Sequence, residues 1–236
     1  MKLMFAQLLA RDVVTIVLAA LLAVTSAFFG FALYEPVTLT AQEAVDITVT
    51  QTITGETSFT SDPTNVVMDT AIASITGGTS NGTSTFTVQS NSGSGYNVTM
   101  VFSDDPAMQQ DTGAGTIPDY LEDTAGVPDY GFDAETSGGS SQFGFSVLGA
   151  SAGIVATNFQ DDNSSSCGGG GTNQYAQCWS AASTTAVTII DSASATTGGG
   201  DTSSVLFRVH VPANPSPAVP ADDYTATATL TVSENP

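Results

Sequence analysis

The sequence predicts an all-β protein, an antiparallel β-sandwich with an immunoglobulin-like layout, preceded by an apolar N-terminal helix. Three observations support this fold class. Apolar and polar residues alternate with a period of two in several stretches after residue 44, threonine occupies many of the polar positions, and helical spacing after Tyr34 is limited to one candidate turn at Gln174–Ala182. Strands with one apolar and one polar face are typical of antiparallel sheets, and about seven or eight of them need two packed layers.

Residues 1–34 are predicted to direct the chain across a membrane. Lys2 and Arg11 precede an uncharged apolar run, Val13–Tyr34. All but one of the 23 acidic residues follow that run, together with a single base, Arg208. A cationic flank, an apolar run and an acidic remainder form the arrangement that keeps the N-terminus in the cytoplasm and exports the rest.

The apolar run leaves three interpretations open. As a helix it would be about 33 Å long, close to one hydrocarbon thickness, which favours a retained signal anchor. Small residues at Gly30–Ala32 and Leu39–Ala41 suit a cleaved signal peptide instead. A buried core helix is the third alternative, although strands elsewhere offer it little to pack against. Residues 35–44 are then a linker, and 45–236 form the exported β-sandwich domain.

Strands are predicted where the alternation is clearest. A hairpin is predicted at Asn91–Gly95, because a short stretch rich in glycine and serine separates two alternating runs. Two long loops, 103–140 and 161–183, are expected to be functional or to decorate one end of the sandwich. The proline-rich stretch 212–220 is expected to be a stiff connection before the final strand. The predicted strands are 45–53, 85–89, 96–102, 143–147, 187–189, 205–211 and 224–232.

The net charge of −20 argues against two classes of partner. Nucleic acid is excluded because no cationic surface exists to displace counterions from phosphates, and anionic lipid headgroups are disfavoured for the same reason. Charged residues make up only 11% of the chain, so the surface is expected to consist largely of Ser, Thr, Asn and Gly. The 41% of hydrophobic residues indicates a chain that builds a core and is not disordered.

The two cysteines, Cys167 and Cys178, are predicted to form a disulfide that pins a glycine-rich loop. Cysteines of an exported domain most often pair, and closure of so short a loop contributes about 2–3 kcal/mol. A metal site would need more ligands than two thiols. The only tryptophan, Trp179, is expected to pack onto this disulfide or, as a weaker alternative, to contact a partner.

Catalytic side chains are scarce. The only histidine, His210, alternates with the apolar face of its predicted strand, so it and Arg208 are expected on the polar face, without a catalytic role. Arg208 is expected to pair with a carboxylate or, more weakly, to anchor a partner. Acid pairs for glycoside hydrolysis occur in no distinctive motif; the candidates are Asp104, Asp105, Asp119, Glu122, Asp123 and Asp129. The sequence therefore predicts a protein that is not an enzyme and needs no organic cofactor.

Calcium is the one candidate cofactor, because clustered oxygen ligands in glycine-rich loops suit this ion. Neither candidate cluster has the spacing of an EF-hand loop, so plain solvated loops are the alternative. The first cluster is Asp161, Asp162 and Asn163, and the second is Asp129, Asp133 and Glu135.

Two segments resemble bacterial surface β-sandwich domains. They are Thr85–Met100, with a Gly-Tyr turn, and Pro220–Val232, with an Asp-Tyr-Thr-Ala-Thr strand. The nearest named relatives are the WxL-type cell-surface domain and the spore coat U fimbrial-like domain, and the overall build is similar to uncharacterised anchored proteins of ultra-small candidate-phylum bacteria. The resemblance implies a β-sandwich displayed at a cell surface. Leu230-Thr231-Val232 stands where the WxL family has Trp-x-Leu, so cell-wall binding is not carried over.

The leading hypothesis is a non-enzymatic structural or adhesion protein of the cell surface, which is held by its N-terminal helix or assembles into an envelope layer or filament. One version has residues 35–53 add as a strand to the sheet edge of a neighbouring copy. The alternative is an extracellular module that binds a glycan or a protein through its long loops, with or without calcium. An exported hydrolase is the third and weakest hypothesis.

Overall fold

The computed structural model describes residues 15–23, 48–133, 139–161, 165–169 and 177–236. The chain divides into two units, Met1–Thr52 and Ile53–Pro236. In the first unit residues 15–23 form a helix with exposed side chains. Within the described residues, no helix combines the length and the apolar character that crossing a membrane requires. Most of the predicted leader and all of the predicted linker, 35–44, lie outside the described residues.

The second unit is all-β, as predicted, and its strands are antiparallel. Two short 3₁₀ helices, Ala152–Ile154 and Thr157–Phe159, interrupt the strands. The strands are β1 (Thr57–Ser61), β2 (Gly78–Ser90), β3 (Tyr96–Phe102), β4 (Met108–Gln110), β5 (Thr116–Ile117), β6 (Asp129–Tyr130), β7 (Gln142–Leu148), β8 (Cys178–Ala181), β9 (Val187–Ser192), β10 (Asp201–Val211), β11 (Tyr224–Thr225) and β12 (Ala228–Glu234).

The strands form three sheets. The large sheet has the order β1-β2-β10-β7-β8-β6, the small sheet β12-β3-β9, and the minor sheet β11-β4-β5. The longest ladder joins β2 to β10, from Val88 opposite Asp201 to Gly78 opposite Val211. This ladder lies in the interior of the large sheet, and it fixes which side chains of β2 and β10 share a face.

One hydrophobic core contains side chains of all three sheets. Phe102 of the small sheet and Phe143 of the large sheet meet edge to face, with ring centroids 5.8 Å apart. The fully buried Tyr96 donates a hydrogen bond from its hydroxyl to Oδ2 of Asp201 at 2.9 Å, which ties β3 to β10. Burial of each such aromatic side chain stabilises the fold by about 1.5–3 kcal/mol.

The predicted hairpin at Asn91–Gly95 is wrong, because β2 and β3 belong to different sheets. The turn itself exists, since the N–H of Gly95 donates to the carbonyl of Ser92 at 3.1 Å. It carries the chain from the large sheet to the small sheet. Gly95 has a φ of 86°, and a Cβ at this position would lie 1.8 Å from the carbonyl oxygen of Ser192.

Gly95→Ala is expected to destabilise the folded unit by about 2 kcal/mol or more, because the left-handed backbone and the contact with Ser192 both oppose a side chain. Gly93→Ala in the same turn is the matched control, since nothing lies within 4 Å of a Cβ there, and it should change stability by less than about 0.5 kcal/mol. Urea denaturation followed by circular dichroism measures both. Equal effects of the two variants would contradict this role of Gly95.

Three further predictions need correction. The predicted first strand is wrong where it is described, because residues 48–56 belong to no strand and pairing begins at Thr57. The final strand is two strands in different sheets, although its alternation is confirmed, with Leu230 half-buried and Thr231 exposed. The long loops contain short strands, and β8 replaces part of the predicted turn at Gln174–Ala182. Strands of two to four residues are too short to show a period.

Residues 62–77, which connect β1 to β2, run irregularly along β2 and are called the strap. The Asp69 carboxylate accepts hydrogen bonds from Ser80 Oγ at 3.0 Å and from the N–H of Asn81 at 2.9 Å. These bonds, with the Asn81 N–H the largest cause, lower the pKa of Asp69. At Gly82 a Cβ would lie 2.2 Å from Cγ1 of Val66, so glycine lets the strap pack directly onto β2.

Candidate functional site

Arg208 lies on the outer face of the large sheet, as its position in the alternation of β10 predicts. It has no carboxylate partner among the described residues. Its Nε donates to Oδ1 of Asn81 at 2.8 Å, and its guanidinium carbon lies 4.4 Å from the ring centroid of Trp179 and 5.3 Å from that of Phe132. The expected ion pair is therefore replaced by a cation held over two aromatic faces. Desolvation by burial lowers the pKa of Arg208.

Tyr120, Phe132 and Trp179 together with Arg208 form a packed group, called here the aromatic cluster. Ring centroids are 4.8 Å apart for Tyr120 and Phe132, and 5.2 Å apart for Phe132 and Trp179. Burial raises the pKa of Tyr120 to about 12. A Cβ on Gly144 would lie 2.9 Å from Cβ of Tyr120, so the glycine makes room for this ring. The cluster holds the segment from Tyr120 to Asp133 against the outer face of the large sheet.

Trp179 does not pack onto the disulfide as predicted. Successive residues of a strand point to opposite faces, so Cys178 enters the core while Trp179 joins the aromatic cluster. The Trp179 side chain is 4% exposed and offers a partner little surface. Partner contact through Trp179 or Arg208 stays a prediction.

The predicted disulfide between Cys167 and Cys178 is confirmed, with Cα atoms 5.8 Å apart. It connects the loop before β8 to a fully buried position of that strand. Disulfides form and persist in oxidising compartments, so this bond is typical of an extracytoplasmic protein.

The calcium candidates lie partly outside the described residues, which omit Asp162, Asn163 and Glu135. Asp161 is 1% exposed, and the N–H of Asp133 donates to the Tyr120 hydroxyl at 3.2 Å. Asp129 accepts the N–H of Asp123 at 2.9 Å, and burial raises its pKa. In the part of the chain that the structure describes, no three His, Cys, Asp or Glu side chains come together as metal ligands. Both calcium sites stay predictions.

His210 shares the outer face of the large sheet with Arg208, as predicted. Its Nδ1 lies 2.9 Å from Oγ1 of Thr79, across the β2–β10 ladder. Desolvation, and next the charge of Arg208, lower the pKa of His210 and favour the neutral ring. A hydroxyl beside an imidazole is part of a hydrolytic triad, but among the described residues this ring donates no hydrogen bond to a carboxylate. The absence of enzymatic activity stays a prediction.

Asp119 is the carboxyl group with the largest pKa perturbation among the described acids. Desolvation by burial is the main cause that raises the pKa of Asp119 from 3.8 to about 6. The N–H of Ala107, which donates to Oδ1 at 3.0 Å, lowers this pKa, and the negative charge of Asp105 raises it further. The folded pKa exceeds the unfolded one. The ionised carboxylate therefore destabilises the fold above pH 6, and this cost disappears as the pH falls through 6 towards 4.

Asp119→Asn is expected to stabilise the protein at pH 7.5 by about 1 kcal/mol after allowance for solvent screening, because the amide has no charge to desolvate and its oxygen still accepts the Ala107 N–H. At pH 4.5 the gain should be smaller, since the wild-type carboxyl is then largely protonated. Urea denaturation at the two pH values measures the difference. A stability change that is the same at both would contradict the raised pKa.

Residues 48–53 carry exposed apolar side chains outside every sheet. Val49 is 89% exposed and Ile53 is 82% exposed, and threonines alternate with them. Two hydrogen bonds with the Asn91 side chain hold the chain just after this segment. The N–H of Glu56 donates to Oδ1 of Asn91 at 2.6 Å, and Nδ2 of Asn91 donates to the carbonyl of Thr54 at 3.2 Å. A segment with the pattern of a strand and no partner strand is a candidate for pairing with another chain.

Comparisons with known proteins assign no family. No family model matches the chain, and no curated protein matches it. The resemblance to the WxL-type and spore coat U-like domains therefore stays a prediction, and function has to be inferred from the site residues.

Sequence reasoning missed two partners of Arg208. Asn81 lies beside it across the β2–β10 ladder, which could be found only once the strand register was known. Phe132 lies in a stretch rich in Asp, Gly and Pro that shows no periodicity. In such a stretch an aromatic residue is the only sequence signal that the loop folds back onto a sheet.

Proposed function

We propose that this protein is an exported, non-enzymatic structural protein of the cell surface, built as an immunoglobulin-like β-sandwich, that assembles with copies of itself through residues 45–53. The observation that carries the proposal is the exposure of Val49 and Ile53 in residues 48–53, the described part of the segment, which has the alternation of a strand and belongs to no sheet. The disulfide and the charge distribution around the apolar leader support export.

Pairing with a neighbouring copy would remove an unfavourable exposure. Each of Val49 and Ile53 stabilises an assembly by about 1.5–3 kcal/mol when its side chain is fully buried. Backbone hydrogen bonds along an added strand supply further affinity and fix the direction of the segment. Threonines at the alternating positions suit the solvent side of such a strand.

Charge supports the same segment as the point of attachment. At a net charge of −20, two copies repel each other across most of their surfaces. Residues 45–53 contain a single charged side chain, Asp46, and residues 47–55 contain none, so this part of the chain can approach another copy with little added repulsion.

Electron microscopy and sedimentation velocity of the protein isolated from its native membrane or secreted fraction test the proposal. Filaments, layers or concentration-dependent oligomers are expected. Isolated monomers at every concentration would contradict assembly.

A further inference from the structure

A cleft lies between the strap and the large sheet and extends to the hydrophobic core. Its first part has a volume of about 270 Å³, and its wall includes the buried side chains of Phe102 and Phe143. Its second part has a volume of about 530 Å³ and is lined by Ile72 of the strap and by Val211. The two parts are continuous, since they share the lining residues Met68, Met108 and Tyr224.

The inward-facing side chains of β10 line the cleft along its length. Val205 and Phe207 belong to the first part, and Val209 and Val211 belong to the second. These positions alternate along the strand, so they span about 20 Å at about 3.4 Å per residue. The hydrocarbon core of a bilayer is about 30 Å thick, and one acyl chain covers about half of that distance. The cleft is therefore long enough to hold one such chain.

The size and the wall of the cleft suit an apolar occupant. Ligand pockets measure about 300–1,000 Å³, and the two parts together fall within this range. Aliphatic and aromatic side chains give water few hydrogen-bond partners, and they gain dispersion contacts when a hydrocarbon fills the space. Ala226 and Ala228 line the first part, where larger side chains would close it.

The first part also offers hydrogen bonds without charge. The Ser84 hydroxyl donates to the carbonyl of Thr64 at 2.8 Å, which holds the strap against β2. The Asn65 side chain is exposed, and its amide can both donate and accept. A hydroxyl or ester head group can be bound by such neutral groups. The uncharged polar residues that line this part are Thr64, Asn65, Ser84 and Thr225.

The second part disfavours anions. Its charged lining residues are Asp222 and Asp223, and among the described residues no base lines either part. The Asp222 carboxylate accepts hydrogen bonds from Thr112 and, at 2.9 Å, from Nε2 of Gln110. These bonds, with the Thr112 hydroxyl the largest cause, lower the pKa of Asp222 and keep it ionised at neutral pH. A fatty-acid carboxylate or a lipid phosphate would meet this negative charge without a cation to pair with.

We propose that the cleft binds one uncharged single-chain lipid, of the monoacylglycerol or long-chain alcohol class, with its hydrocarbon chain along β10 and its head group near Asn65. The residues that line the cleft all lie between Pro63 and Leu230 in the sequence. The site therefore shares no residue with the segment 45–53 and does not depend on the proposed assembly. It adds a lipid ligand to the proposed structural role.

Photolabelling of the full-length protein in its native membrane tests the site. The probe is a monoacylglycerol that carries a diazirine near the end of its chain. A protease that cuts before aspartate releases residues 62–68 of the strap, residues 201–221 with β10, and residues 12–45 with the apolar run. Label on 62–68 and 201–221, at about one probe per copy, is expected. Label confined to 12–45 would overturn the proposal.

A fatty acid with the same chain and the same diazirine, used at pH 8, is the matched probe for head-group charge. Its labelling of residues 62–68, relative to its labelling of 12–45, should be at least about tenfold weaker than that of the monoacylglycerol. Equal labelling by the two probes would overturn an uncharged lipid as the ligand.

Filling the cleft gives an independent test. Ala226→Phe places a ring in the first part and Ala221→Phe places one in the second; Ala221 is exposed, so this variant leaves the core intact. Each is expected to reduce labelling of residues 62–68 by about tenfold or more. Thr227→Phe, at an exposed position outside the lining of both parts, is the control and should be labelled like the wild type. Wild-type labelling of Ala221→Phe at an unchanged melting temperature, or an equal loss in the control, would contradict the proposal.

Discussion

Replacement of Val49 and Ile53 together by aspartate is expected to abolish assembly while the folded unit keeps its stability. Both side chains are almost fully exposed in the isolated chain, so the substitution removes no contact within it. In an assembly two apolar groups would be lost and two carboxylates would have to be desolvated, which weakens association by at least about a hundredfold. Sedimentation velocity across a concentration series measures the loss.

Thr48→Asp with Thr52→Asp is the matched control for this prediction. The two threonines are neighbours of Val49 and Ile53 in the same segment and receive the same added charge, but their alternation places them on the solvent side of an added strand. Assembly of this control should be weakened only slightly. If both double variants lose assembly equally, charge and not the apolar face of the segment explains the result.

Trp179→Ala is expected to cost about 3–5 kcal/mol of folding free energy, the largest stability effect that we predict. The indole is 4% exposed and contacts both Phe132 and the guanidinium of Arg208, so its removal leaves a cavity and takes away the main aromatic face under the cation. Trp179→Phe should cost less than half as much, because a smaller ring still packs there. Urea denaturation followed by circular dichroism is the measurement.

Tyr130→Ala provides the control for Trp179. This aromatic side chain belongs to the adjoining strand β6 but is 37% exposed, and its truncation should cost about 1 kcal/mol or less. A cost below 1 kcal/mol for Trp179→Ala would show that the aromatic cluster contributes little to the fold.

Long strands could be predicted from the sequence because their alternation persists over many residues. β3 and the second halves of β2 and β10 coincide with predicted strands, although β10 begins four residues earlier than predicted. The face on which Arg208 and His210 lie follows from the alternation of residues along the strand alone. Pairing could not be predicted in the same way. The turn at Asn91–Gly95 has the local chemistry of a hairpin, yet the same backbone conformation carries the chain between two sheets, and only tertiary packing distinguishes the two arrangements.

The environment of Trp179 could be predicted only in part. Its place next to Cys178 in sequence suggested contact with the disulfide, but neighbours in a strand occupy opposite faces. The position of the strap has no signal in the sequence, because it depends on Gly82 admitting Val66. Both features depend on residues more than ten positions apart along the chain.

The position of Arg208 in the middle of β10 determines how susceptible the domain is to cleavage by trypsin-like proteases. Beyond Arg11 it is the only residue after which a trypsin-like protease can cut. The peptide bond that follows lies in a strand flanked by β2 and β7, and no protease can draw such a strand into its active site while both neighbours hold it. Scission there requires the sheet to come apart, so a folded copy should survive in surroundings rich in such enzymes.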